Sequence, residues 1–168
     1  MANDLEKNQY YLHPGYIFFS SSPYLISTVL GSCVSVCIWD CVLNIGGMNH
    51  YMHARPFSDE QSGTFGSVSI PCLINFLIDA GSKKANLRAH IVGGAQSPLL
   101  GNSMIGKENI DIANEIVQKN NLSVITNDTC GSMGRKVIFD NVSGEIVIYK
   151  VNKLRKCDWY EDDKSFNN

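Results

Sequence analysis

Charge is missing from a long early stretch of the chain: residues 8–39 contain no Asp, Glu, Lys or Arg. The apolar runs there are broken by His13-Pro14-Gly15, Ser20-Ser21-Ser22-Pro23 and Gly31-Ser32. Each piece is too short to cross about 30 Å of hydrocarbon, so no membrane insertion is expected. No basic segment leads into an apolar one at the start, where Asp4 and Glu6 stand. A signal peptide is therefore not read, and a cytoplasmic location is expected. An excess of positive charge is also lacking, with a formal net charge of −2. Nucleic acid is then not an expected partner. Internal repeats and heptads are absent too. What is present is one domain's worth of chain, 168 residues with 44% apolar and 18% charged residues. That composition buries a core and argues against disorder. In a cytoplasmic chain the six cysteines (33, 37, 41, 72, 130 and 157) read as thiols, ligands or a nucleophile rather than a disulfide frame.

Residues 1–13 read as a loose end. Short runs rich in β-branched and aromatic residues follow at 16–19, 24–30, 33–39 and 45–52, bounded by Gly, Pro, Ser, Asp or Asn, and read as strands. Residues 56–66 read as a surface loop. Ile70, Leu73, Ile74 and Leu77 then form one helical stripe, with Ser69 as N-cap, Pro71 in the first turn and Gly81 at the end. A strand at 87–92 precedes Gly93-Gly94, and a second helix spans 106–120 with Ile112, Ala113, Ile116 and Val117 inward. Strands at 122–126, 136–140 and 145–151 follow, the last two joined by a turn over Asn141-Val142-Ser143-Gly144. Residues 152–168 hold four cations and four anions and read as a charged tail. The expected class is α/β of the α+β type, a single domain with two main helices and mostly antiparallel strands. An alternating parallel βαβ chain does not fit, because no helix separates the first four strands.

Chemistry concentrates in Ser27-Thr28-Val29-Leu30-Gly31-Ser32-Cys33-Val34 and Gly46-Gly47-Met48-Asn49-His50. With residues 40–43 as the loop of a hairpin, opposed positions sum to 83 and Cys33 faces His50, with Cβ atoms about 4.5–5.5 Å apart. An imidazole so placed favours the thiolate and returns a proton to a leaving group. Backbone N–H groups of Gly31, Ser32 and Val34 are candidates to hold an oxyanion, at roughly 3 kcal/mol per donor. Ser27 or Thr28 is placed to orient the imidazole. These parts suit acyl transfer. A cysteine in a strand is also commonly a small buried hydrophobe, and the pairing depends on register, so both readings stand on geometry alone.

Two other signals carry less. In a continuous strand Cys33 and Cys41 lie about 26 Å apart, too far to share one ion, so no metal is expected. Gly101-Asn102-Ser103-Met104-Ile105-Gly106-Lys107-Glu108 nearly spells a phosphate loop, but Glu108 stands where a hydroxyl is needed, so it reads as a helix start and no cofactor is expected.

Leu30-Gly31-Ser32-Cys33-Val34, Asp40 and Gly46-Gly47-Met48-Asn49-His50-Tyr51-Met52 resemble the signature of CheD, the chemoreceptor glutamine deamidase family of bacterial chemotaxis. Gly93-Gly94-Ala95, Ile105-Gly106 with Asn109, Asp128-Thr129 with Gly131, Gly134-Arg135-Lys136 and Ser143-Gly144 extend the resemblance over residues 14–151. It implies a layered α/β/β sandwich similar to a deamidating bacterial toxin. It also implies a cysteine-dependent deamidase acting on glutamines, and in some members methylated glutamates, of the cytoplasmic helices of methyl-accepting chemotaxis receptors. Cys33 matches the nucleophile and His50 the base. The family's threonine, six positions before the cysteine, falls on Ser27, with Thr28 beside it. The family usually has Met-Leu-Pro after the histidine, where this chain reads Met52-His53-Ala54, so His53 either touches substrate or faces water. A CheC-type phosphatase is the partner the resemblance implies for a second, non-catalytic docking role.

Overall fold

The computed structural model describes residues 7–96, 103–155 and 158. Among them the chain runs β1 (Asn8–Tyr11), β2 (Ile17–Ser20), β3 (Tyr24–Leu30), β4 (Val34–Asp40), β5 (Ile45–Asn49), α1 (Gly66–Asp79), β6 (Leu87–Gly93), α2 (Ile105–Lys119), β7 (Ser123–Thr129), β8 (Gly134–Asp140) and β9 (Ile146–Val151). The nine strands form two sheets, ordered β2-β5-β4-β6-β7 and β1-β3-β8-β9. Five of the seven strand pairings are antiparallel. Only β1/β3 and β6/β7 are antiparallel's exception, being parallel. The β6-α2-β7 segment is therefore a βαβ unit, which the sequence reading did not expect. A parallel pair needs a long crossover, and α2 supplies it.

Strand alternation sends each residue set to one of two cores. Val34, Val36, Ile38, Ile45 and Tyr51 join Ile70, Leu73, Leu77, Ile112 and Ala113 under the helices. Cys37, Met48 and Val92 face the other way and join Leu12, Ile26, Leu30, Val137 and Phe139 between the sheets. Helices, five-stranded sheet and four-stranded sheet thus stack as an α/β/β sandwich of the α+β type. No helix among the described residues is long and apolar enough to cross a membrane.

Several boundaries differ from expectation for local reasons. Residues 8–11 are a strand, not a loose end: β1 pairs with β3 from Asn8↔Tyr24 to Tyr11↔Ser27, and Leu12 is fully buried. Residues 1–6 lie outside the described residues, as does most of the 152–168 tail. Helix α1 starts at Gly66, before Ser69, with no side-chain cap. Its first donors are met by backbone instead, Gly66 N–H by His53 O at 2.8 Å and Ser67 N–H by Ala54 O at 2.9 Å. Pro71 consequently sits inside the helix rather than in its first turn. Gly81, at φ +100°, ends it as expected.

The β4–β5 hairpin turns one residue later than expected. Asp40 Oδ1 accepts the N–H groups of Val42 at 2.8 Å and Leu43 at 2.9 Å, and Asn44 takes a left-handed φ of 55°. That aspartate-led turn makes Asp40 the last strand residue, paired with Ile45. The loop is 41–44, and opposed positions sum to 85, as in Cys37↔Met48 and the bridge Val34↔Tyr51. Cys33 is thus not directly opposite His50.

Candidate functional site

Cys33 lies between β3 and β4, where the chain passes from one sheet to the other. The two carbonyls before it and its own are all occupied. Gly31 O accepts from Ala95 N–H at 2.9 Å, Ser32 O from Asn109 Nδ2 at 3.0 Å and Cys33 O from Gly94 N–H at 2.8 Å. Such close approach explains the glycine that ends β6. A Cβ on Gly93, at φ +115°, would lie 2.3 Å from Cys33 O. The backbone N–H of Cys33 favours the thiolate of its own side chain. The half-buried thiol packs against the inter-sheet core. Burial pushes its pKa up to about 11, against the smaller opposing effect of that N–H.

His50 is fully buried just past β5. Its backbone is fixed on both sides: its N–H donates to Tyr16 O at 3.0 Å and its carbonyl accepts from Gly15 N–H at 2.7 Å. Its Nδ1 lies 2.8 Å from Thr28 Oγ1, and Thr28 donates its single hydroxyl proton to Leu12 O at 2.7 Å. The hydroxyl therefore accepts from the ring, so the proton sits on Nδ1 and the lone pair on Nε2. Nε2 is buried and has no hydrogen-bond partner among the described residues. Burial pulls the imidazole pKa down to about 4, with the Leu12 carbonyl opposing the fall and His13 adding to it. The resting ring is neutral at ordinary pH.

The two-position shift in register preserves the faces, since side chains alternate with period two. Cys33 and His50 are diagonal neighbours by count, and both belong to the space between the sheets, Cys33 through its core contacts and His50 through Thr28 on β3.

The same alternation separates the two hydroxyl candidates. Thr28 pairs with Val137, a core residue, whereas Ser27 pairs with Ile138, which is 37% exposed on the outer face of the sheet. It is Thr28 that touches His50, and Ser27 does not share the compartment. Among the backbone candidates, Val34 N–H is already donated to Tyr51 O at 3.2 Å. Gly31 and Ser32 form the turn that presents Cys33. His53 is exposed and bridges to Phe65. It borders a cavity of about 400 Å³ shared with Arg55, Pro56, Phe57, Glu108 and Glu115.

Two participants were not legible as such. Leu12 lay in the stretch read as loose, yet its carbonyl fixes the Thr28 hydroxyl. Asn109 appeared only as part of a motif, and its contacts were invisible without the fold. The five described cysteines are free thiols; Cys157 lies outside the described residues. No group of three or more His, Cys, Asp or Glu among the described residues is placed to hold a metal ion. The arrangement offers a thiol, a neutral imidazole with an available lone pair in the same compartment, and an N–H beside the sulfur. Those are the parts of nucleophilic attack on a carbonyl carbon.

Known proteins resemble this chain along most of its length. A family model described as CheD chemotactic sensory transduction matches residues 50–150. A protein of Anaeromyxobacter dehalogenans named "Probable chemoreceptor glutamine deamidase CheD 1" is 40% identical over 133 residues, 78% of each chain. A Sulfurimonas denitrificans protein named "Probable chemoreceptor glutamine deamidase CheD" is 33% identical over 154 residues, covering 89% of this chain and 98% of its own. One from Vibrio vulnificus with the same name is 35% identical over 162 residues. A family model over more than half of the chain and relatives 33–40% identical over 78–89% of it converge: the chain belongs to the CheD family.

Proposed function

We propose that this protein is a chemoreceptor glutamine deamidase working through Cys33 and His50. The observation that carries the reading is the fixed tautomer of His50, whose Nδ1–H is used by Thr28 and whose Nε2 lone pair shares a compartment with the Cys33 sulfur. The relatives' names support the choice of substrate.

The resting pair is a neutral thiol and a neutral imidazole, because burial disfavours both charged forms. Proton transfer is therefore coupled to attack. Nε2 takes the thiol proton as the sulfur bonds to the carboxamide carbon of a receptor glutamine. The carbonyl π pair moves to oxygen, where the Cys33 N–H faces the new charge. Collapse breaks the C–N bond, and the departing nitrogen takes the Nε2 proton and leaves as ammonia. The thioester is then attacked by water, which gives Nε2 one proton. Expulsion of the sulfur returns that proton to Cys33, leaving glutamate. Gly31 and Ser32 shape the turn in this scheme, and Thr28 keeps the imidazole in its tautomer. Such a protein works on receptor helices from the cytoplasm.

Mass spectrometry of a receptor cytoplasmic fragment tests this. Exposure to the protein is expected to add about one dalton at particular glutamines, and Cys33→Ala is expected to stop it. Conversion that persists in Cys33→Ala would remove the sulfur from the mechanism. Docking to a CheC-type phosphatase is separable, since Cys33→Ala removes a half-buried sulfur and little surface; binding is expected to survive that change.

A further inference from the structure

The β4/β5 ladder ends at Val34↔Tyr51, with N–H···O distances of 3.2 and 3.1 Å. The next positions, Ser32 with Cys33 on one side and Met52 on the other, have no ladder bond to each other among the described residues. Cys33 and His50 flank this point, so their spacing depends on whatever joins the chains there.

A side chain from α2 does so. Asn109 is fully buried in the second turn of the helix. Its Nδ2 donates one hydrogen to Ser32 O at 3.0 Å and the other to Met52 O at 2.9 Å. Both partners are carbonyls, which fixes the amide's orientation. The Tyr51 hydroxyl donates to the Asn109 backbone carbonyl, securing the helix to the same hairpin end. Gly106 lets α2 come this close, since a Cβ there would meet Gly94 O at 2.7 Å. Meanwhile Asn109 Oδ1 is buried with no partner among the described residues. An idle buried acceptor is unfavourable, so the site has a use for the two donors rather than for a generic polar group.

We propose that Asn109 is a positioning residue that sets the Cys33–His50 spacing by bridging Ser32 O and Met52 O where the backbone ladder stops. The proposal rests on the assignment of Cys33 and His50 given above. A neighbour of equal shape without N–H groups fills the same space but leaves both carbonyls unpaired and the two segments free to part. Sub-ångström placement matters when a proton must move as a bond forms.

The test reads the Cys33–His50 coupling without using the deamidase reaction. The rate at which iodoacetamide labels Cys33, followed at its own peptide, is measured at pH 7.5 in the wild type, His50→Ala, Asn109→Leu and the double variant, with folding checked by thermal melts. His50→Ala is expected to slow labelling about tenfold. Asn109→Leu is expected to slow it by a similar factor, and the double variant to be no slower than either. Asn109→Gln, which keeps both N–H donors, is expected to recover part of the rate. Asn109→Ala replaces the leucine variant if that one does not fold. On the receptor fragment, kcat of Asn109→Leu is expected to fall about 10- to 100-fold with KM within about twofold. Wild-type labelling in Asn109→Leu, additive effects in the double variant, or no effect of His50→Ala each overturns the proposal. Absence of ammonia release by the wild type would overturn the deamidase reading instead, and labelling would still decide the role of Asn109.

Discussion

The two ends of the β4–β5 hairpin are built on different principles. At the loop end the turn itself is closed by local bonds, with one remote tie from Cys41 N–H to Asn86 O at 3.1 Å. Asp40 Oδ1 gathers the amides of Val42 and Leu43, Asn44 N–H returns to Asp40 O at 2.9 Å, and Asp40 pairs with Ile45. At the site end the ladder gives out, and the parts that hold Cys33 and His50 come from far along the chain. These are Leu12 and Thr28 from the four-stranded-sheet side, Gly94 and Ala95 after β6, and Asn109 on α2. Local bonding makes a turn that survives many changes elsewhere. Remote bonding makes a site that is specified only when the whole sandwich has assembled.

Breaking the site end is expected to have the largest effect. Thr28→Val keeps the shape but removes the acceptor of the His50 Nδ1–H, leaving two buried polar atoms without that partner. A loss of about 10- to 100-fold in kcat is expected in ammonia-release assays, with about 1–3 kcal/mol of stability lost in urea titrations. Acid is the next lever. Folded His50 stays neutral down to about pH 4, whereas the unfolded residue takes up a proton near 6.5. The unfolded state thus binds more protons between those values, so this contribution is intact above pH 6.5 and lost as pH falls towards 4. The group accounts for about 3 kcal/mol of that decline. Urea titrations from pH 7 to 4 are expected to show the slope, and His50→Gln to flatten it.

Breaking the loop end sharpens the contrast from the other side. Asp40→Ala removes the acceptor of two turn amides and is expected to lower stability by about 1 kcal/mol, with ammonia release within about twofold of wild type. A tenfold loss of activity there would mean that the two ends communicate. Ser27→Ala is expected to do least, within about twofold in kcat and about 0.5 kcal/mol in stability, because its side chain is on the opposite face from His50. An effect matching Thr28→Val would place the working hydroxyl on the wrong residue.

The same local-versus-remote division governs what the sequence discloses. Asp140 builds a turn like that of Asp40, with Oδ1 accepting from Val142 at 3.0 Å and Ser143 at 3.3 Å. That turn, 141–144, was legible because Gly144 marks its left-handed position, φ 72°. Its twin over 41–44 has Asn44 there instead, and the weaker signal misplaced the hairpin by two in register. The faces of the strand residues are unchanged by that shift because two residues are a full strand period. The apolar stripes of α1 and α2 were readable from spacing and do line the helix-side core. Their starts were less so, since α1 is capped by the carbonyls of His53 and Ala54 rather than by its own sequence. Thr28 over Ser27, the burial of Leu12 and the reach of Asn109 all follow from which strands become neighbours. No window of consecutive residues contains that information.

The nitrogen NMR spectrum of the His50 ring at pH 7 tests the central feature most directly. A neutral ring with its proton on Nδ1 and a bare Nε2 is the expected result. A proton on Nε2, or an imidazolium at that pH, would contradict the account, because the sulfur would then have no base in its compartment to receive its proton.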